Sequence, residues 1–290
     1  MTYELAIGDR TYSSWSLRGW LLLEKFNLPF RERRARLYLP EFDALLAEFA
    51  PATLVPAMRL PSGFVVSDTL AIAETLNERH PEAQMWPGDA DHRAFARSIV
   101  AEMHAGFSAV RAECPMNLRC AYTGFEPGDA VLKDLKRAAL LWETAIDRAN
   151  ARGPWLFGTY SIADAFFAPF AARIASYDLP VTGRARAYVD SHLADPAFRR
   201  WRAMGLAQNY RQKVYDIDLP ETKWRGPPPI GATSTHRTDA ENGTCPYSGD
   251  PASYYLDIDG RIFGFCNPFC RDKTLHDPAA WPAFMNLYKK

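Results

Sequence analysis

Apolar positions change period several times over the first eighty residues, and each change marks a new element. Residues Tyr3 to Ile7 alternate as a strand, then Leu17, Trp20, Leu21 and the positions up to Glu24 fall at helical spacing. Phe30 to Leu37 reads as a second strand. Pro40 opens a helix carrying Phe42, Leu45, Leu46 and Phe49 on one side, and Pro51 ends it. Met58-Arg59-Leu60 and Phe64-Val65-Val66 flank Pro61-Ser62-Gly63 as a hairpin, which leads into a helix starting near Asp68-Thr69.

The resulting order, β-α-β-α-β-β-α, predicts an α/β thioredoxin-like domain over residues 1–82. Helical spacing then dominates, over residues 90–117, about 128–152 and 161–176, so 88–215 is expected to be an all-α domain. Ser161-Ile162-Ala163-Asp164 has the form of a capping box, with Tyr160 as its staple, and serves the fold rather than chemistry. After Tyr215 the pattern fails. Leu219-Pro220, Gly226-Pro227-Pro228-Pro229, Gly231 and the polar run Thr233 to Thr244 predict a linker over 216–243. Residues 244–290 then form a small β-hairpin/helix, cysteine-rich module, with strands on both sides of an Asp259-Gly260 turn. Fewer than fifty residues bury little apolar surface, so this segment is expected to need a metal staple or docking onto the main body.

The chemistry-bearing stretch is Thr11-Tyr12-Ser13-Ser14-Trp15-Ser16-Leu17-Arg18, at a strand-to-helix junction. Hydroxyls there stand beside unsatisfied N–H groups and the positive end of the helix dipole, which together suit an anion such as a thiolate. A helix cap needs one serine, and here three hydroxyl residues occupy the four positions Ser13 to Ser16. Val55-Pro56 stands before the third strand. If its peptide bond is cis, Val55 presents free backbone groups to an extended peptide; the sequence leaves the isomer open. Asp68 and Thr69, at a helix start, can cap it or hold the charged ends of an amino-acid-like ligand. His104, Phe107, Ser108 and Arg111, spaced three or four apart, are expected on one helix face.

Together these stretches resemble the glutathione transferases. Ser13-Ser14-Trp15-Ser16-Leu17-Arg18 is similar to the Ser-Ser-x-Ser-x-Arg motif of zeta-like and related bacterial members of the Ser type, Val55-Pro56 to their Val and cis-proline, and Asp68-Thr69-x-Ala71-Ile72 to their γ-glutamyl-binding segment. The resemblance covers residues 1 to about 215. It implies that Ser13 or Ser14 holds the glutathione sulfur as the catalytic group, with Trp15, Ser16, Val55, Pro56, Asp68 and Thr69 binding the rest of glutathione and His104, Phe107 and Arg111 bordering the pocket for a small electrophilic substrate. It also implies a homodimer and a detoxification role. Leu54 stands where the family often has Gln or Lys, which leaves the glycine end of glutathione without that contact. Two other readings stay open: a zeta-like glutathione-dependent cis-trans isomerase, and a noncatalytic glutathione-binding protein that senses metal or redox state.

Three of the five cysteines fall in the tail as Cys245-x20-Cys266-x3-Cys270. Thiolates gathered by a hairpin and a helix start suit zinc, which takes four N or S ligands. The flanks resemble the YHS and TRASH metal-binding modules, with His276 as the nearest candidate for the fourth ligand and a water or Asp250 as substitutes. Lys and Arg balance Asp and Glu at 34 each, which argues against nucleic acid or an anionic membrane as a partner. The start Met1-Thr2-Tyr3-Glu4 lacks the pattern of a signal segment and no apolar run reaches membrane length, so a cytoplasmic location is expected, with Cys114 and Cys120 reduced.

Overall fold

The structure is a computed structural model that describes residues 2–290; Met1, the start of the expected first domain, lies outside the described residues. Its packing forms two units, one of residues 1–193 with 213–225 and the other of residues 194–212 with 226–290.

The first unit begins with β1 (Tyr3–Ile7), α1 (Ser14–Glu24), β2 (Phe30–Arg34), α2 (Pro40–Glu48), β3 (Ala57–Arg59), β4 (Val65–Ser67) and α3 (Thr69–Arg79). The four strands form one sheet in the order β2-β1-β3-β4, with only β1 and β2 parallel. Leu5, Ala6 and Ile7 are fully buried because β1 is central and covered on both faces. The predicted order of elements is therefore the observed one. α1 approaches the Pro56 ring, just before β3, closely because Gly19 lacks a side chain: a Cβ there would stand 2.8 Å from that ring.

The helical part comprises α4 (Ala90–Ala105), α5 (Ser108–Glu113), a short strand β5 (Ala121–Tyr122), α6 (Asp129–Arg148), α7 (Ile162–Tyr177) and α8 (Gly183–Ala194). Every residue of α7 is buried, and it packs against both α1 and α4. Its start is fixed by Asp164, whose carboxylate accepts from the backbone of Ser161 at 2.8 Å and Leu156 at 3.2 Å and from the Tyr188 hydroxyl at 2.9 Å. The helix expected over 90–117 is broken. Gly106 caps α4 with an extended backbone and Phe107 turns left-handed at φ 58° before α5 begins, so His104 and Arg111 belong to different helices. The segment after Tyr215 also differs from a free linker at its start. Glu221–Thr222 forms β6 and pairs with β5, while Arg225 donates to the carbonyls of Ala175 (2.8 Å), Ser176 (3.1 Å) and Tyr122 (2.7 Å).

The second unit contains α9 (Pro196–Leu206), β7 (Thr233–Thr235), β8 (Tyr254–Ile258), β9 (Arg261–Phe265), α10 (Pro268–His276) and α11 (Pro282–Tyr288). The strands form an antiparallel sheet in the order β7-β8-β9, and the β8-β9 turn carries Asp259 and Gly260 with φ of 54° and 81°. Leu256, Ile258, Phe263, Phe265, Trp281 and Phe284 form its core, to which α9 adds Ala203. Arg199 of α9 grips Asp277 with two hydrogen bonds of 2.8 and 2.7 Å. Among the described residues, no helix is long and apolar enough to cross a membrane.

Candidate active site

The junction before α1 is a tight turn in which the Asp9 carbonyl accepts from the Tyr12 and Ser13 N–H groups at 3.2 and 2.8 Å. Ser13 caps α1: its Oγ accepts from the Ser16 N–H at 3.2 Å and donates to the Ser16 Oγ at 2.8 Å. Ser16 Oγ in turn accepts from the Gly8 N–H at 3.0 Å and is fully buried. These two hydroxyls are thus used in holding the turn. Ser14, the first residue of α1, is half-buried and its hydroxyl makes no hydrogen bond to the described residues.

Ser13, Ser14 and Trp15 face a cavity of about 940 Å³, which Val55, Pro56, Asp68, Thr69, His104 and Arg111 also line. The Val55–Pro56 peptide bond is cis. Asp68 caps α3 with one carboxylate oxygen, which accepts from the Leu70 N–H at 2.7 Å, and turns the other to His104 Nε2 at 3.3 Å. It does so at a positive φ of 76°, a sparsely populated conformation for a non-glycine residue. The Thr69 hydroxyl is buried and unpartnered, as is His104 Nδ1. Buried polar groups without partners are costly, so both are open positions for a ligand. Two residues expected at the site lie elsewhere. Ser16 is spent inside the turn, and Phe107 is packed edge-on against Phe167 and Phe170 in the core because the break at Gly106 swings it inward.

The far wall is cationic. Arg18 is fully buried, with Nε on the Phe166 carbonyl at 3.0 Å, and its ring-facing side lies 4.4 Å from the Trp15 centroid. Arg111, which lines the cavity as Arg18 does not, stands 5.0 Å from the same ring and donates to the Met103 carbonyl. Burial, then the charges of Arg111 and Arg173, pulls the Arg18 pKa well down, with Asp68 opposing. Burial also lowers Arg111, and it brings Arg173 down to about 10. Like charges crowded in a low-dielectric wall are relieved by an anion.

Arg173, Tyr38 and Tyr215 line the cavity without having been singled out in the sequence, and Tyr12 of the hydroxyl run joins them. Arg173 had a signal: it is the one cation in α7, a helix that is mostly apolar after Asp164. Tyr215 had none, because its place depends on the chain returning to stack on Tyr12 at 4.8 Å and to meet the Tyr38 hydroxyl at 3.2 Å.

Comparison with known proteins bears on the fold that carries this cavity. Residues 12–79 match the family profile described as the glutathione S-transferase N-terminal domain. A glutathione transferase homolog from Burkholderia gl BGR1, solved with bound glutathione, superposes with a TM-score of 0.50 at 22% identity, covering 71% of this chain and 99% of its own. The fold is that of the glutathione transferases. A diazinon-metabolizing glutathione S-transferase of the silkworm Bombyx mori gives a TM-score of 0.53 at 18% identity over 72% of this chain and 99% of its own. Among curated proteins, a probable maleylacetoacetate isomerase of Caenorhabditis elegans is 36% identical over 90 residues, 31% of this chain. The chain spans about two-fifths of the length of that relative, 41%.

The second unit holds another cluster. The sulfurs of Cys245, Cys266 and Cys270 all lie within 4.8 Å of one another, and among the described residues no His, Asp or Glu joins them. His276, the expected fourth ligand, is thus outside the group. Burial opposes ionisation of Cys245, but N–H groups of Cys266, Tyr247 and Ser248 and the Cys266 thiol outweigh it and hold its pKa below the usual thiol range. Burial pushes Cys270 the other way, with Lys273 opposing.

Proposed function

We propose that the cavity binds glutathione and that Ser14 holds its thiolate for attack on a small electrophile. The observation that carries this reading is the division of labour between the serines. Ser13 and Ser16 hydrogen-bond each other and the turn, which leaves the Ser14 hydroxyl, at the positive end of α1, as the donor free to meet a sulfur anion. A free thiol has a pKa of about 8.5, so roughly 3% is thiolate at pH 7. Lowering it by about two units corresponds to roughly 2.7 kcal/mol of preference for the anion, within reach of one oriented hydroxyl and a helix terminus acting together. The sulfur then forms the new bond to an electrophilic carbon, and the displaced group leaves with its electron pair. Val55 offers backbone groups to the peptide part of the ligand. Asp68 answers the γ-glutamyl ammonium and the unpartnered Thr69 hydroxyl its carboxylate.

The test separates the two serines. Ser14→Ala is expected to raise the pKa of bound glutathione, read from thiolate absorbance, and to lower turnover by about 10- to 1000-fold. Ser13→Ala is expected mainly to cost stability, about 1 kcal/mol, as the loss of a cap. Unchanged turnover and absorbance in Ser14→Ala would remove it from the mechanism.

A second reading is supported by the cationic wall. Arg111 and Arg173 suit an anionic unsaturated substrate whose double bond is isomerised by addition and then elimination of glutathione. Arg111→Gln is expected to depress isomerisation of an unsaturated dicarboxylate while sparing conjugation of a neutral aryl halide. An equal effect on both reactions counts against it.

A further inference from the structure

One carboxylate in the cavity carries a cost that the helix it caps does not require. Asp89 and Asp195 cap α4 and α9 from ordinary extended backbone, and one oxygen of each accepts from two N–H groups, those of Asp91 and His92 and of Ala197 and Phe198. Asp68 caps α3 from a left-handed φ of 76° and accepts from the Leu70 N–H alone, at 2.7 Å. It is the poorer cap of the three. What the unusual backbone does accompany is a second contact, in which the other oxygen, Oδ2, stands 3.3 Å from His104 Nε2 at the end of α4.

A second cost converges on the same contact. Among the described residues Asp68 is the one polar partner of the His104 ring, and Nδ1 is buried without a hydrogen bond. Donation to Asp68 places a ring proton on Nε2, so Nδ1 keeps its hydrogen-bonding capacity where water does not reach. The ring is nevertheless fixed, edge-on to Trp15 at 5.1 Å and tilted against Phe166 at 6.3 Å. Trp15 is itself held, with the guanidinium groups of Arg18 and Arg111 at 4.4 and 5.0 Å from its centroid. His104 is therefore aimed at Asp68 by a rigid aromatic support. Its sequence neighbours at helical spacing do not share this direction, since Phe107 lies in the core and Arg111 on the next helix.

We propose that His104 is a positioning residue for amino-group recognition: it fixes Asp68 Oδ2 so that the remaining lone pair of that oxygen meets the α-ammonium of the γ-glutamyl unit. This rests on the reading of the cavity as a glutathione site. Both residues line the cavity, and the Asp68 side chain, at 51% exposure, is open to a ligand. A carboxylate that exposed, with one capping bond, swings about its side-chain torsions, and a ligand that needs it in one orientation must order it. The Nε2–H bond does that ordering before the ligand arrives, while the carboxylate keeps its charge for the ammonium. His104 thus acts through Asp68 on one end of glutathione, and its role is not contact with the electrophile. The expected consequence is selectivity for peptides headed by a free α-amino group.

The experiment titrates the full chain calorimetrically with glutathione and with its des-amino analogue, glutaryl-cysteinyl-glycine. The parent is expected to bind glutathione about 10- to 100-fold more tightly than the analogue, the worth of one charge-assisted hydrogen bond. His104→Phe keeps a ring against Trp15 and removes the N–H. It is expected to lower that ratio about 3- to 10-fold, the effect of one side chain left unordered, with affinity for the analogue within about twofold of the parent's. His104→Gln, which returns an N–H donor, should recover most of the ratio. A parent that binds neither peptide overturns the glutathione reading and this role with it. A parent that prefers glutathione, with His104→Phe keeping the full preference, overturns the role of His104 alone. Equal weakening toward both peptides does the same, since it marks a general disturbance of the cavity, and a Gln variant no better than Phe overturns the hydrogen bond as the cause.

Discussion

A single hydroxyl separates the catalytic assignment from ordinary helix capping, because Ser13 satisfies α1 and Ser14 does not. The same economy governs Gly19. Its α carbon faces the Pro56 ring, and a methyl group there would meet two ring carbons at 2.8 and 2.9 Å, closer than side-chain carbons approach. Gly19→Ala normally gains about 1 kcal/mol of helix propensity. Here the overlap with a packed ring is expected to reverse the sign, costing about 1–3 kcal/mol, and to push Val55 and Pro56 out of line with the cavity. Chemical denaturation and glutathione affinity measured together check this: a variant as stable as the parent with unaltered affinity shows that α1 moves freely. The hydroxyl run, Val55-Pro56 and Asp68-Thr69 were legible in sequence because each sits at the end of an element, where local chemistry reveals its position. Tyr215 was not, since only tertiary folding brings it to the cavity wall, and Arg173 showed itself only as a lone cation in α7.

Among elements, α7 is buried at every residue, and buried titratable groups stand on it and beside it. His192 of α8 is buried with Nε2 unpartnered beside Trp155 and Tyr188, and burial, aided by Lys25, brings its pKa down to about 3. An unfolded histidine protonates near 6.5, so as pH falls below that value the unfolded state takes up a proton that the native state refuses. Stability contributed by His192 is therefore fully present above about pH 6.5 and is lost as pH falls. Asp164 acts in the opposite sense: burial raises its pKa to about 6 despite the hydrogen bonds it accepts, so the native state binds a proton between pH 6 and its unfolded value. The two slopes cancel over much of that range in the parent. His192→Gln removes only the first, and its stability relative to the parent is expected to improve by about 1.4 kcal/mol per pH unit between pH 6 and 4. Denaturation curves of both proteins across that range check the slope; parallel curves mean that His192 titrates normally. The run from 90 to 117 has the spacing of a continuous helix because periodicity carries across Gly106 and Phe107, whereas the left-handed turn at Phe107 depends on the core it enters.

At the scale of the molecule, the body and tail suggested by composition are replaced by two units whose chain paths interleave. Residues 213–225 belong to the first unit and α9 to the second. The sequence hid this because α9 has ordinary amphipathic spacing and its partner, the β8-β9 sheet with α10, is encoded about fifty residues later. β7 was equally hidden: an edge strand needs only backbone pairing, and Thr233–Thr235 pairs with β8 without an apolar pattern. Besides the apolar contact of Ala203, α9 is tied to its unit by the Arg199–Asp277 pair, in which both side chains are largely shielded from water, with relative exposures of 18% and 11%. Removing one partner of such a pair leaves the other charge shielded and unanswered, at a cost of about 3–5 kcal/mol when burial is complete and somewhat less here. Arg199→Ala is therefore expected to loosen the second unit by about 2–3 kcal/mol, seen as earlier exchange of amide hydrogens in α9, β8 and α10. Restoring apolar contact with Arg199→Met should recover little, because the carboxylate of Asp277 remains alone, whereas the double change Arg199→Met with Asp277→Leu should recover most of the loss. Equal protection in Arg199→Ala and the parent would mean that α9 is held by its apolar face and that the ion pair adds nothing.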